Sequence, residues 1–102
     1  MSNKNHFQEV FHKLEKNGFE TKSILTWSFF FYSKSKPNLQ QVIAELNGFD
    51  YFTEISKIED EFRLIATKSE ILTYEKLEKR NKAFSELGEF CDVKFDGWEV
   101  SK

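Results

Sequence analysis

Few residues of this chain are equipped for covalent chemistry. His6 and His12 stand six positions apart in a helical stretch, which turns their rings to different sides. No Asp, Glu or Cys joins either of them at metal-ligand spacing. The lone cysteine, Cys91, has no neighbouring base to hold a thiolate and reads as a small, partly buried thiol. Asp50, Asp60, Asp92 and Asp96 fall at expected turns and strand ends, where Asp serves the backbone. A glycine-rich phosphate loop is absent as well. The residues therefore imply neither a catalytic site, a metal site nor a cofactor, and the expectation is a protein that is not an enzyme.

Recognition chemistry is better represented. The chain holds twelve Phe, three Tyr and two Trp, and aromatic side chains are the usual anchors of binding surfaces. Phe95-Asp96-Gly97-Trp98 sets a turn-forming Asp-Gly step between two aromatics. Gly97 can take positive φ at no steric cost, so the step predicts a bulge that re-aims the last strand while Trp98 packs on the core. In a second reading Phe95, Asp96, Trp98 and Glu99 belong to a partner-binding ridge. Phe30 and Tyr32, with Phe52 or Tyr51 and Arg63 on adjoining strands, form a candidate stacking platform for single-stranded RNA. Lys76, Lys79, Arg80 and Lys82 form a basic stretch, but Glu75, Glu78 and Glu86 interleave with it at pairing distance, which describes a solvated helix face.

Charge narrows these options. Fifteen basic and seventeen acidic side chains leave a net charge of -2. RNA is thus disfavoured as a partner, and the strand Glu61–Lys68 lacks the basic-aromatic motif of an RNA recognition domain. The N-terminus lacks the apolar run of a signal peptide, and no stretch is long and apolar enough to span a membrane. An unpaired cysteine suits a reducing compartment, so the expected setting is the cytoplasm with no membrane partner.

The elements that must position these residues follow from periodicity. Phe7, Val10, Phe11 and Leu14 make an apolar helical stripe over 3–17, stopped at Asn17-Gly18. Ile24–Tyr32 reads as a strand with Leu25, Trp27, Phe29 and Phe31 facing a core and Thr26, Ser28, Phe30 and Tyr32 facing away. Ser35 caps a second helix with Pro37 in its first turn and a stripe of Leu39, Val42, Ile43 and Leu46. Tyr51–Ile58 and Glu61–Lys68 make a hairpin about Glu59-Asp60. A third helix runs from Ser69 or Thr73 to Leu87, carries Tyr74, Leu77, Asn81, Phe84 and Leu87 on one side, and is stopped by Gly88. A final strand from Asp92 is interrupted at Asp96-Gly97.

Length gives a single domain over 1–102, with an N-terminal helix in 1–20 and a core in 23–100. Without the first helix the order is β-α-β-β-α-β, so the expected fold is α+β, a ferredoxin-like sandwich with an extra N-terminal helix. Both crossover helices then share one face of a four-stranded antiparallel sheet. The extra helix is expected to bury its stripe over the other face, covering the aromatic platform, or against a partner.

The stretch Phe84-Ser-Glu-Leu-Gly-Glu-Phe-Cys-Asp-Val-Lys-Phe-Asp-Gly-Trp98 resembles the close of the regulator of ribonuclease E activity B family. There a helix runs into a Tyr-Asp-Gly-Trp signature. A weaker similarity covers Leu39–Phe49, and the likeness as a whole extends from about Thr26 to Trp98. Phe95 stands where the family usually has Tyr, and Glu99 where it usually has Gly. The resemblance implies a ferredoxin-like fold and a non-enzymatic regulator that binds ribonuclease E and inhibits its cleavage. The partner is then a protein, ribonuclease E or another RNA-processing enzyme, and the chain a monomer or weak homo-oligomer. Two other classes stay open: an immunity-type or other dedicated partner-binding protein, and a regulatory domain that takes a small ligand or RNA across its sheet.

Overall fold

A computed structural model of the chain describes residues 6–102. The elements follow in the order α1 (His6–Lys16), β1 (Leu25–Ser33), α2 (Lys36–Glu45), β2 (Phe52–Ile58), β3 (Glu61–Glu70), α3 (Tyr74–Cys91) and β4 (Lys94–Ser101). Residues 3–5 of the expected first helix lie outside the described residues. The strands form one antiparallel sheet in the order β2-β3-β1-β4. That order arises when each of two crossovers skips one strand, as in the split βαβ motif. The fold is α+β and ferredoxin-like in type.

Local chemistry explains most of the boundaries. The Ser35 hydroxyl accepts from the Asn38 amide at 3.3 Å, and Pro37 sits in the first turn of α2. Thr73 caps α3 by accepting from the Lys76 amide at 3.1 Å. At the β2–β3 turn Glu59 takes a left-handed φ of 57°, which tightens the hairpin expected there. β3 runs two residues beyond its expected end, because Ser69 and Glu70 pair with Thr26 and Leu25.

Gly88 does not stop α3. The helix continues to Cys91, and Asp92 makes the stop with φ 57° and ψ 47°. The Val93 amide then donates back to the Gly88 carbonyl at 2.8 Å, the closing bond of a helix C-terminal motif. Gly88 is buried against the start of β4, where an added Cβ would lie 2.9 Å from the Val93 carbonyl oxygen. Its task is close approach of helix and strand.

The core is aromatic and one-sided. Trp27, Phe29 and Phe31 are fully buried and point from β1 into the helix layer, where they meet Leu39 and Val42 of α2 and Leu77 and Phe84 of α3. Phe84 stands edge-on to Phe29 with ring centres 4.9 Å apart, the arrangement that ring quadrupoles favour. The Trp27 indole N–H donates to the Glu70 carbonyl at 3.1 Å, so its one polar atom is satisfied.

The extra helix joins this same layer. Phe11 is buried and stacks on Trp27 at 6.0 Å, with Tyr74 edge-on at 6.3 Å. The expectation that α1 covers the other face of the sheet is therefore corrected. The helix-side row of Leu25, Trp27, Phe29 and Phe31 is wholly apolar, whereas the row of Thr26, Ser28, Phe30 and Tyr32 is mixed. That second face carries no described helix.

Candidate partner-binding surface

The bulge decides what β4 presents. Phe29 pairs with Trp98, but Phe31 pairs with Phe95, so Asp96 and Gly97 together oppose Phe30. In a regular strand residues three apart face opposite sides. The extra residue cancels that alternation and turns Phe95 and Trp98 to the same, helix-side face. Gly97 takes φ +100° to make this possible. Phe95 packs on Phe31 at 5.1 Å and Phe84 at 5.9 Å, and Trp98 packs on Trp27 at 5.7 Å.

The same shift sends Asp96 and Glu99 together to the open face. The four residues singled out from the sequence therefore divide into two pairs. Phe95 and Trp98 are half-buried and pack against the core. Asp96 and Glu99 are exposed on the far side of the strand.

Register assembles the rest of that face. One row runs Ser56, Arg63, Tyr32, Lys94; the next Glu54, Ile65, Phe30 and the bulge; the third Phe52, Thr67, Ser28, Glu99. A shallow depression of about 440 Å³ lies over Phe30, Tyr32, Arg63 and Ile65 and is rimmed by Asp96 and Glu99. Phe30, Tyr32 and Ile65 are half-buried there, while Phe52 at the corner is 70% exposed. Of the proposed stacking residues, Phe30, Tyr32, Arg63 and Phe52 do share the face. Tyr51 does not: its ring lies in the helix layer against Phe29 and Phe84.

The charges of the open face are weakly paired or unpaired among the described residues. Arg63 Nε is buried and makes no hydrogen bond. Among the described residues neither Arg63 nor Glu99 enters an ion pair, and Asp96 meets only the exposed Lys94 at 3.8 Å. A contact of that length between exposed side chains contributes little.

A second polar cluster was not legible in the sequence. Arg80 leaves the basic face of α3 and donates to both Glu70 carboxylate oxygens, at 2.7 and 3.3 Å, and to the Tyr51 hydroxyl at 2.6 Å. Burial works against its charge, but the bond to Glu70 and the nearby Tyr51 hold its pKa above the ordinary arginine value. Burial likewise raises the Tyr51 pKa, with the Arg80 charge opposing it. The cluster ties β3 to α3 and to the residue before β2. Both Glu70 carboxylate oxygens and the Tyr51 hydroxyl accept from the one guanidinium, so it reads as a brace.

The family model for regulator of ribonuclease activity B matches residues 4–100. The chain belongs to this family. The match takes in α1 as well as the sheet and crossover helices, so the helix that looked like an addition lies within the family's own extent. No individual curated protein matches the chain. The family is one of regulators of ribonuclease activity. Among the described residues no cluster of His, Cys, Asp and Glu is placed to hold a metal, and no helix is long and apolar enough to cross a membrane.

Proposed function

We propose that this chain binds a ribonuclease of the ribonuclease E type in the cytoplasm and slows its cleavage by occupying its surface, without acting as an enzyme. The open sheet face is the contact. One observation carries this assignment: the face is free of any described helix, yet it gathers half-buried Phe30, Tyr32 and Ile65 among charges that the described residues pair weakly (Asp96) or not at all (Arg63, Glu99). Apolar area with a polar, charged rim is the anatomy of a protein interface. Asp96 and Glu99 are its acidic rim. Phe95 and Trp98 contribute from behind, by holding the bulge in the register that turns both carboxylates outward. Two carboxylates beside the aromatic floor also repel a phosphate backbone, which favours protein over RNA.

Purified protein at saturation is expected to slow cleavage of a labelled RNA by the ribonuclease E of its host. Replacing both Asp96 and Glu99 with Lys is expected to weaken inhibition by about tenfold or more, the scale of losing charged interface partners, while the unfolding midpoint stays within error. Absence of slowing at saturation would remove the target. Full inhibition by the double variant would remove the face.

A further inference from the structure

The open face is charged in a particular way. It carries an unpaired cation, Arg63, near the middle of one row, and along the β4 edge two carboxylates, Asp96 and Glu99, with Lys94 at one end of that edge 3.8 Å from Asp96; Glu54 stands on the opposite, β2 edge. A uniformly basic partner would leave Arg63 unpaired and repelled. A uniformly acidic one would be repelled by the β4 edge. A second copy of this chain supplies both complements at once.

Strand geometry says how. Neighbouring strands lie about 4.8 Å apart, and same-face residues along a strand about 6.8 Å apart. Take the centre of the face midway between Ile65 and Phe30, which neighbour one another on β3 and β1. A two-fold axis lying in the face along the diagonal from the Phe52 corner to the Lys94 corner exchanges the along-strand and across-strand directions. It sets the partner copy's Arg63 over the gap between Asp96 and Glu99. The two Phe30–Ile65 pairs meet at the middle, Glu54 faces the hydroxyls of Ser28 and Thr67, and the 70% exposed Phe52 covers its own copy; at the opposite corner the two exposed Lys94 side chains also meet, each beside its own Asp96. Such an axis crosses the two sheets near a right angle, one of the two stable ways in which sheets pack. The contact is isologous and closes on a dimer.

We infer that this chain forms a homodimer through its open sheet face, held by reciprocal pairing of Arg63 with Asp96 and Glu99. Four strands of seven to ten residues give a face roughly 20 by 25 Å, near the lower bound of what a specific interface buries per partner. The dimer is therefore weak and concentration-dependent. Its regulatory consequence rests on the reading that the same face meets the ribonuclease: self-association masks the inhibitory surface, and dilution or a competing target exposes it.

Sedimentation velocity over a concentration series reads the dimer directly and needs no ribonuclease. Wild type is expected to dissociate in the micromolar range, about 10⁻⁶ to 10⁻⁴ M. Arg63→Glu alone, and Asp96→Arg with Glu99→Arg, are each expected to weaken self-association at least about tenfold. Mixed in equal amounts, the two variants are expected to form a heterodimer, since one of the two charge contacts is then reversed as a pair. Thermal unfolding checks that each variant is folded; because Arg63 is half-buried, Phe52→Glu at the exposed corner provides a second disruption. A wild-type monomer up to millimolar concentration would overturn the inference, and so would a dimer indifferent to all of these substitutions. A monomeric chain that still inhibits ribonuclease refutes the dimer alone. A dimer that never inhibits refutes the target alone.

Discussion

Gly88→Ala offers a sharp test of the packing described here, because two physical arguments give it opposite signs. Gly88 lies inside α3 and has no positive φ. In an exposed helix interior the substitution would stabilise by about 1 kcal/mol, since alanine loses less backbone freedom. Here the new methyl would sit 2.9 Å from the Val93 carbonyl oxygen, 3.4 Å from the Phe95 amide nitrogen and 3.5 Å from Phe95 Cβ. The first two are backbone atoms and cannot rotate aside. β4 must move outward by several tenths of an ångström, which loosens Phe95 against Phe84 and Phe31 and strains the Val93–Gly88 hydrogen bond. Overpacking of this kind costs about 1–3 kcal/mol. Set against the helix gain, the net change is a loss of about 1 kcal/mol. For a domain of this size that lowers the melting temperature by roughly 4–8 °C. Gly88→Val lacks most of the propensity gain and adds two more carbons at the same place, so its loss is expected to exceed about 2 kcal/mol. Urea unfolding followed by tryptophan fluorescence suits both variants, as Trp98 stands on the strand that must move. A Gly88→Ala variant with a raised midpoint, or a Gly88→Val variant as stable as wild type, would refute the close-approach account.

Trp98→Ala removes the ring that packs on Trp27 and is expected to destabilise by about 2–4 kcal/mol, somewhat below a fully buried tryptophan; an unchanged midpoint in urea would mean that the ring is dispensable to the core. Alkaline pH tests the buried acids. Burial raises the Cys91 thiol above its usual 9.0 and the Tyr51 hydroxyl above its usual 10.0, so the folded state holds these protons more tightly than the unfolded chain. Stability is then fully present below about pH 9 and falls as pH rises through 9 and 10, because only the unfolded chain releases the protons freely. Unfolding midpoints measured from pH 7 to 11 check the direction, and Cys91→Ala is expected to flatten the first part of the fall. Alkylation of native Cys91 by iodoacetamide at pH 8 is expected to be slow and to accelerate in urea; fast labelling of the folded protein would contradict its burial.

Several features of the fold were legible because they are written in local spacing. The alternation of Leu25, Trp27, Phe29 and Phe31 marks a strand with one buried face in any setting. Ser35 with Pro37 is a cap whose chemistry needs no distant partner, whereas local pattern leaves the start of α3 open between Ser69 and Thr73, which the Thr73 hydroxyl decides by capping the helix. The bulge could be read as well, since Asp96-Gly97 between Phe95 and Trp98 reconciles two aromatics at a spacing that a regular strand would split.

Glycine and arginine were less transparent. Gly18 ends a helix by taking a positive φ of 88°, while Gly88, an equally plausible stop, is a spacer. The difference is the strand that lies against Gly88, which no local pattern reveals. Arg80 sits among Lys76, Lys79 and Lys82 and shares their spacing to acidic neighbours, yet it alone turns inward. Only the approach of Glu70 and Tyr51, ten and twenty-nine positions away, distinguishes it.

By itself, then, the sequence determined the order of the elements, which face of β1 is apolar, and the family signature at Phe95–Trp98, because these depend on neighbours within a few residues. Tertiary structure decided the side of the sheet on which α1 docks, the partners of Arg80, and the assembly of Phe30, Ile65, Arg63, Asp96 and Glu99 into one uncovered face. Those outcomes depend on which strands lie side by side. Pairing register, settled only when β1 takes its place between β3 and β4, brings distant charges onto a common surface.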